Sequence, residues 1–263
     1  ASEPTTESPL FDLDNVIVTP HLGASTTEAQ DKAGDVIADM VLLALAGDFV
    51  PFAVNVEAAE VPETVRPYLG LADDLGRIFA GLVGDNTPAL EIEMCGQIAE
   101  HDTRLLALSA QKGFFGAVTG QPVSYVNAPQ IAEQQGIELR TVTCTDPVDY
   151  LSRITLSGGG HSVSGALVGL QHVPKVVGMD DHTVDITVAS HMLVIHNRDV
   201  PGRIGFVGGV LGEAAVNIED MNVGKNPSGE GSLMVVTTTQ STPPVVVEAL
   251  RKGEGIESVR SVG

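Results

Sequence analysis

Residues 191–202, HMLVIHNRDVPG, contain the transition that decides the fold of the last third of the chain. The apolar run at 191–196 predicts a strand, and Asp199–Gly202 predicts a turn that leads into a helix ending near Gly212. The same reasoning predicts strands at 216–223 and 232–239. It then predicts a helix at 242–252, opened by two prolines, and a closing strand at 256–260. This βαββαβ order is typical of the ferredoxin-like unit.

The preceding segment, residues 57–189, has the mixed pattern of an α+β unit. Apolar residues spaced three and four apart predict helices, and alternating runs predict strands. The predicted helices are 64–84, 104–118 and 128–135. The predicted strands are 90–94, 137–143, 150–156, 162–170, 175–178 and 182–188. The triplet Gly158–Gly160 predicts a hairpin turn, because glycine tolerates positive φ.

Residues 1–56 predict a third part of the chain. The apolar run 16–18, bounded by Asn15 and Pro20, predicts a short buried strand. Ser25 and Glu28 have capping-box spacing, which predicts a helix that starts there and ends at Gly47. We therefore predict an α+β protein divided at 1–56, 57–189 and 190–263.

Composition excludes several classes of function. The net charge of −20 over 263 residues argues against partners such as nucleic acid and anionic membranes. No apolar run approaches the roughly 20 residues that span a bilayer. Cys95 and Cys144 stand far apart, so we expect neither a metal site nor a cluster, and two such cysteines suit a reducing cytoplasm where disulfides are rare.

Two short motifs near the start carry a catalytic signature. Glu3 precedes a proline, and His21 lies in Thr19-Pro20-His21-Leu22-Gly23. These motifs resemble the end of the catalytic region of D-2-hydroxyacid dehydrogenases, specifically the long 3-phosphoglycerate dehydrogenases. The resemblance implies that His21 is the general base, that Glu3 orients its imidazole and that the full enzyme uses NAD. An imidazole suits this role because its pKa lies near working pH.

A nucleotide site is not evident in the sequence. A dinucleotide fold needs Gly-x-Gly-x-x-Gly between a strand and a helix, and that motif does not occur here. We therefore expect that these 263 residues alone neither bind NAD nor oxidise 3-phosphoglycerate.

The last two segments resemble regulatory domains of the same family. Asp199-Val200-Pro201-Gly202 and Asn217-Ile218 resemble the ACT domain pattern. The resemblance implies an L-serine effector site formed by Asn197, Asp199 and Asn217, and pairing of ACT domains in a homodimer or homotetramer.

Residues 57–189 resemble the intervening domain of the long enzymes. That resemblance implies a candidate anion site at Lys175 and His182.

Three functions remain open from the sequence. The first is the regulatory C-terminal portion of a cytoplasmic 3-phosphoglycerate dehydrogenase, an oxidoreductase of serine biosynthesis under allosteric control. The second is a free-standing ACT regulatory protein that binds an amino acid. The third is the regulatory part of an L-serine dehydratase, which would need cluster-ligating cysteines that this chain does not offer.

Overall fold

A computed structural model describes residues 5, 7–19, 22–51, 53–54, 62–84, 87–146, 149–226 and 231–262. The chain divides into two compact units, 1–52 and 53–263, which are described separately. Among the described helices, none combines the length and the hydropathy needed to cross a membrane.

The first unit is built around one helix, α1, at Thr27–Ala46. The Oγ1 of Thr26 accepts a hydrogen bond from the Ala29 amide at 3.2 Å. The helix ends at Gly47, whose φ of 76° is left-handed. The predicted helix is thus confirmed. Its N-cap is Thr26, and not Ser25 as the capping-box spacing predicted.

The predicted strand at 16–18 is wrong. These residues form no strand, and Ile17 is 93% exposed. A strand is stable only where a neighbour accepts its backbone hydrogen bonds and covers its apolar face. The described part of this unit offers neither, and α1 itself has no buried residue.

The second unit contains ten strands and five helices among its described residues. The helices are α2 (Tyr68–Val83), α3 (Arg104–Thr119), α4 (Ala128–Gln135), α5 (Arg203–Glu213) and α6 (Pro244–Arg251). The first six strands are β1 (Ala89–Gly96), β2 (Glu138–Cys144), β3 (Ser152–Gly158), β4 (His161–Val168), β5 (Val173–Met179) and β6 (His182–Thr187). The last four are β7 (Met192–Asn197), β8 (Ile218–Lys225), β9 (Ser232–Thr238) and β10 (Ile256–Val262).

These bounds agree with the helices and strands predicted for residues 64–260 to within a few residues. All ten strands form a single sheet in the order β10-β7-β9-β8-β6-β5-β4-β3-β1-β2.

Helix α2 lies against strands β3, β4 and β5, and α3 packs against α2. The predicted apolar face of α2 is fully buried, with Leu71, Leu75, Ile78, Phe79 and Leu82 each at most 1% exposed. The two helices approach closely because glycines lie at their crossing. A Cβ on Gly113 would stand 1.9 Å from the Asp73 carbonyl oxygen, so no larger residue fits there.

The last four strands and α5 and α6 confirm the predicted βαββαβ unit. Its strands follow the order β10-β7-β9-β8 and pair antiparallel. Alternation along β7 sends its apolar residues to two different cores. Leu193 and Ile195 pack with α5 and α6, whereas Met192 and Val194 belong to the core that contains α2. The second face of this sheet is thus covered by the middle segment.

The sheet passes without a break from the middle segment to the ferredoxin-like unit. The link is the antiparallel pairing of Thr183 on β6 with Lys225 on β8. At the other edge, β10 contacts α2, where Val262 packs against Gly81. The two segments therefore share one sheet and one hydrophobic core.

Cys95 and Cys144 form a disulfide, which corrects the expectation that the cysteines stay unpaired. They are 49 residues apart in sequence, but they are register partners in the parallel pairing of β1 with β2. Sequence spacing could not show this adjacency, because a parallel pair is joined through an intervening crossover. The carboxylate of Glu93 lies near both sulfur atoms, but these sulfurs are bonded to each other and so do not serve as thiolate ligands for a metal.

Asp180 lies at the junction between the middle segment and the ferredoxin-like unit. Its Oδ2 is 2.8 Å from Nδ1 of His161 on β4 and 3.2 Å from Nε2 of His196 on β7. Its Oδ1 accepts a hydrogen bond from the Ser162 amide at 2.9 Å. One carboxylate thus binds side chains from both parts of the sheet.

The neighbours of the two imidazoles fix where their protons lie. Arg260 on β10 has only donors and lies 3.2 Å from Nε2 of His161, so this nitrogen accepts and Nδ1 donates to Asp180. His196 Nδ1 lies 3.1 Å from the Ser258 hydroxyl, and its Nε2 donates to Asp180, because an ionised carboxylate only accepts. Both imidazoles therefore donate a hydrogen bond to the carboxylate of Asp180.

The turn that contains Asp180 and Asp181 has an uncommon backbone conformation. Asp180 and Asp181 have φ of 45° and 61°, an uncommon region for residues with a side chain. Partial burial raises the pKa of Asp180, but the hydrogen bonds from His196, the Ser162 amide and His161 outweigh it and hold that pKa below the ordinary range. The native state thus stabilises the ionised form of Asp180.

We predict that replacing both cysteines by serine lowers the free energy of unfolding by about 2–4 kcal/mol, because the cross-link restricts the unfolded chain. Urea unfolding with and without reductant measures this change. The midpoint of the double variant should not respond to reductant, which makes it the control. Two titratable thiols in the unreduced, denatured wild-type protein would contradict the disulfide.

We predict that Asp180→Asn lowers the free energy of unfolding at pH 7 by about 1–3 kcal/mol, because it removes a charged acceptor from three donors. A carboxyl group whose pKa is lower in the folded state stabilises the fold above its unfolded pKa of about 3.9. That contribution disappears as the pH falls through the folded pKa. Urea titrations at pH 7 and at lower pH should therefore show the variant and the wild type converging in acid.

Asp181→Asn is the matched control, because Asp181 is exposed and shares the positive φ of its neighbour. Asparagine tolerates this backbone region as aspartate does. Equal losses for the two variants would show that the turn conformation, and not the Asp180 contacts, is responsible.

Candidate functional site

A cavity of about 310 Å³ opens where β7 ends and α5 begins. The turn at 199–202 supplies one wall, and strands β8 and β9 supply the other. Polar groups enter from Asn197, Asp199, Arg203 and Ser232. The apolar part of the lining consists of Val200, Pro201, Ile204, Val223 and Met234. The volume and the mixture of a few polar groups with apolar walls suit a small molecule.

Asn197 is the buried polar residue of this cavity, at 4% exposed. Its Nδ2 donates to the Arg198 carbonyl oxygen at 2.8 Å, which fixes the orientation of the amide. Its Oδ1 is buried and has no hydrogen-bond partner among the described residues. A buried acceptor without a donor is costly, so this oxygen favours a ligand that brings an N–H or O–H group.

The start of α5 can bind a negatively charged group of a ligand. Gly202 has a φ of 92° and lets the helix begin directly after the turn. No side chain caps this helix, so the first amides of α5 remain available to an anion. Asp199 is exposed at the same cavity and supplies a carboxylate for a cation. An amino acid zwitterion presents both of these charges.

The structure brings together two of the three residues predicted for the effector site. Asn197 and Asp199 line the cavity, whereas Asn217 does not. Asn217 is exposed just before β8, and its carbonyl oxygen accepts from the Thr239 amide at 3.2 Å. Within one chain it therefore belongs to a different surface.

Lys175 and His182, the candidate anion residues, lie at opposite ends of the hairpin formed by β5 and β6. Lys175 pairs with Thr187 in the ladder, and His182 pairs with Met179. This separation corresponds to roughly 13 Å along the strand. Lys175 forms an ion pair with Asp185 at 2.5 Å. The two predicted residues therefore do not converge on one anion.

His182 instead lines a second cavity, of about 390 Å³, together with Arg153. It is 7% exposed, its Nδ1 lies 2.6 Å from the Asp180 carbonyl oxygen, and its Nε2 has no partner among the described residues. Its packing against the junction accounts for its burial, since its ring also contacts His196.

The two predicted catalytic residues, Glu3 and His21, lie outside the described residues. In a dinucleotide fold the glycine after the first strand lets the backbone approach a pyrophosphate. Here Gly96 ends β1, and a Cβ on it would stand 2.2 Å from the Leu151 carbonyl oxygen, so Gly96 serves close packing of the chain.

Arg203 is the residue that sequence reasoning missed. It is the first residue of α5 and lines the cavity. The available signal was its position directly after Pro201-Gly202, because a side chain there lies beside the open helix amides.

The chain matches two protein-family models. Residues 64–179 match the D-3-phosphoglycerate dehydrogenase intervening domain, and residues 191–252 match the ACT domain. The second match contains the cavity described above.

The same result comes from similar proteins. The chain is 38% identical over 255 residues to the D-3-phosphoglycerate dehydrogenase of Mycobacterium leprae, covering 95% of this chain and 48% of that protein. It is 39% identical over 256 residues to that of Mycobacterium tuberculosis, again covering 95% of the chain and 48% of the relative. With the protein of that name from Synechocystis it shares 32% identity over 269 residues, covering 100% of the chain and 48% of the relative.

The chain spans about half the length of the curated relatives it matches. Two adjacent domain matches and alignments over nearly all of its residues lead to one assignment. This chain belongs to the D-3-phosphoglycerate dehydrogenase family, of which it carries the intervening and ACT domains.

Proposed function

We propose that the chain is the regulatory C-terminal portion of an NAD-dependent 3-phosphoglycerate dehydrogenase and that the cavity at α5 is its amino-acid effector site, for L-serine. The observation that most directly supports this site is the buried Oδ1 of Asn197, which has no hydrogen-bond partner among the described residues and lies beside the uncapped amides of α5. The ligand's ammonium group binds Asn197 and Asp199, and its carboxylate binds the α5 amides.

The catalytic half of this proposal comes from the family resemblance. In the full enzyme His21 accepts the hydroxyl proton of 3-phosphoglycerate, and Glu3 orients the imidazole. The chemistry that NAD would supply in the full enzyme is acceptance of the substrate hydride. The 263 residues contain no Gly-x-Gly-x-x-Gly motif, so we propose that they alone lack the oxidoreductase activity.

Effector binding would act on the enzyme through a shift in populations. Residues 196 and 197 are neighbours on β7 with side chains on opposite faces of the sheet. Asn197 lines the effector cavity, and His196 binds Asp180 at the junction with the intervening domain. A ligand that orders the end of β7 therefore acts on a strand that also holds the junction.

We predict that L-serine binds the chain and that Asn197→Ala and Asp199→Asn each weaken binding about tenfold or more, because each removes a partner of the ammonium group. Isothermal titration calorimetry measures the affinities. Asp199 is exposed, so its replacement tests the site without disturbing the core.

Asn222→Ala is the matched control, because Asn222 is next to the cavity residue Val223 on β8 but points to the opposite face. We expect this variant to bind like the wild type. Wild-type protein that gives no heat with serine, or equal affinities in all four proteins, would contradict the proposed site.

A further inference from the structure

Two cysteines and a carboxylate meet on one face of the sheet, beside its β2 edge. Glu93 and Cys95 lie on the same face of β1, because side chains alternate along a strand. Cys144 joins them from β2 as the register partner of Cys95. A carboxylate oxygen of Glu93 and the two sulfur atoms all lie within 4.8 Å of one another. Among the residues that the structure describes, this is the one group of three metal-binding side chains that is so compact.

The backbone keeps the two cysteines side by side independently of the bond between their sulfurs. Their Cα atoms are 4.6 Å apart, which is about the ordinary spacing of neighbouring strands. The ladder between β1 and β2 continues from this pair back to Ala89 and Glu138. The two side chains therefore remain neighbours when the disulfide is reduced.

The three side chains suit zinc in particular. Zn²⁺ binds both cysteine sulfur and carboxylate oxygen, and a site with three protein ligands leaves its fourth position to water. Two Zn–S bonds of about 2.3 Å in a tetrahedral site place the sulfurs about 3.8 Å apart, which side-chain rotation on adjacent strands can reach. Mg²⁺ and Ca²⁺ prefer oxygen ligands, so thiolates select against them.

Arg153 on β3 supplies the charge that such a site needs. It pairs with Cys95 in the antiparallel ladder of β1 with β3, and its Nη2 lies 3.5 Å from Oε2 of Glu93. Two thiolates and one carboxylate carry three negative charges, so a bound dication leaves one, which the guanidinium balances. A donor beside a ligating carboxylate also fixes its orientation.

The exposure of the cysteines differs in a way that admits a reductant. Cys95 is only 3% exposed, so its sulfur is shielded from water. Cys144 is half-buried on β2, which is the last strand of the sheet. A thiolate can therefore reach the disulfide from the side of Cys144.

We propose that reduction of the Cys95–Cys144 disulfide creates a Zn²⁺ site formed by both thiolates and Glu93. A dithiol supplies two electrons and two protons, so that the S–S bond breaks, two thiols form and the dithiol becomes a disulfide. Zn²⁺ then displaces both thiol protons, and the carboxylate is its third ligand. In the oxidised chain the sulfurs are bonded to each other, so the cation finds only the carboxylate. The chain therefore contains either the disulfide or the metal at this place.

Cobalt(II) titration of the whole chain tests this site, because Co²⁺ occupies zinc sites and its thiolate complexes absorb in the near ultraviolet. The chain is first reduced with dithiothreitol, which is then removed by gel filtration without oxygen. We expect one Co²⁺ per reduced chain, its displacement by Zn²⁺, and an affinity about tenfold or more lower in the unreduced chain. Reduced protein without the thiolate-to-cobalt absorption would overturn the proposal.

Glu93→Gln should weaken Co²⁺ binding by the reduced chain about tenfold or more, because it removes the carboxylate ligand. Glu91→Gln is the matched control, since Glu91 lies two residues earlier on the same face of β1, is also half-buried and is outside the compact group. We expect this control to bind like the wild type. Equal affinities in the two variants would exclude Glu93 as a ligand and overturn the three-residue site.

Cys144→Ser tests the link between the metal and the redox state. This variant has a single sulfur ligand and cannot form the disulfide within one chain. Its Co²⁺ affinity should be about tenfold or more below that of the reduced wild type, and treatment with dithiothreitol should not change it. Binding as tight as that of the reduced wild type would overturn the proposal.

Discussion

The carboxylate of Asp180 is the contact on which the arrangement of the intervening and ACT domains depends. It accepts hydrogen bonds from His161 and Ser162 on β4 and from His196 on β7. A carboxylate can accept several such bonds only while it is ionised, which explains why its neighbours lower its pKa against the effect of burial. Arg260 completes the arrangement by donating a hydrogen bond to Nε2 of His161.

This contact reinforces a continuity that the backbone establishes. The ferredoxin-like sheet presents its second face to the intervening domain, and residues of β7 and β9 enter the same core as α2. The pairing of Thr183 with Lys225 joins the two halves of the sheet edge to edge. Packed cores respond in discrete steps, so this shared sheet supports the proposed effect of the end of β7 on the intervening domain.

The cavity proposed as the effector site lies one residue from the junction along β7. Asn197 faces α5 and the cavity, and His196 faces Asp180, as alternation along a strand requires. This proximity gives the proposed regulation a physical route without a long chain of contacts. It also places the cavity at a strand whose two faces belong to two different cores.

Most of this fold could be predicted from periodic patterns. Apolar spacing predicted α2, and alternation predicted β1, whose burial pattern the structure confirms. The Pro201-Gly202 turn predicted the start of α5 and with it the cavity. Local patterns of this kind depend only on residues close in sequence.

What the sequence could not provide were contacts set by register and topology. Cys95 and Cys144 meet only because β1 and β2 pair in parallel. His161 and Asp180 meet because antiparallel pairing places the start of β4 beside the end of β5, and His196 reaches the same carboxylate from β7. The strand predicted at 16–18 was wrong because an apolar run alone does not make a strand. The described residues around Ile17 provide no neighbouring strand for it to pair with.

Native-state hydrogen exchange, resolved by residue and followed at rising urea below the unfolding transition, tests the shared sheet most directly. If the two domains form one cooperative unit through Asp180, the slowest amides of β4 and of β9 exchange with the same opening free energy and the same urea dependence. In Asp180→Asn the two sets should separate. Strands of the ACT domain that open independently of β4 in the wild-type protein would contradict the account.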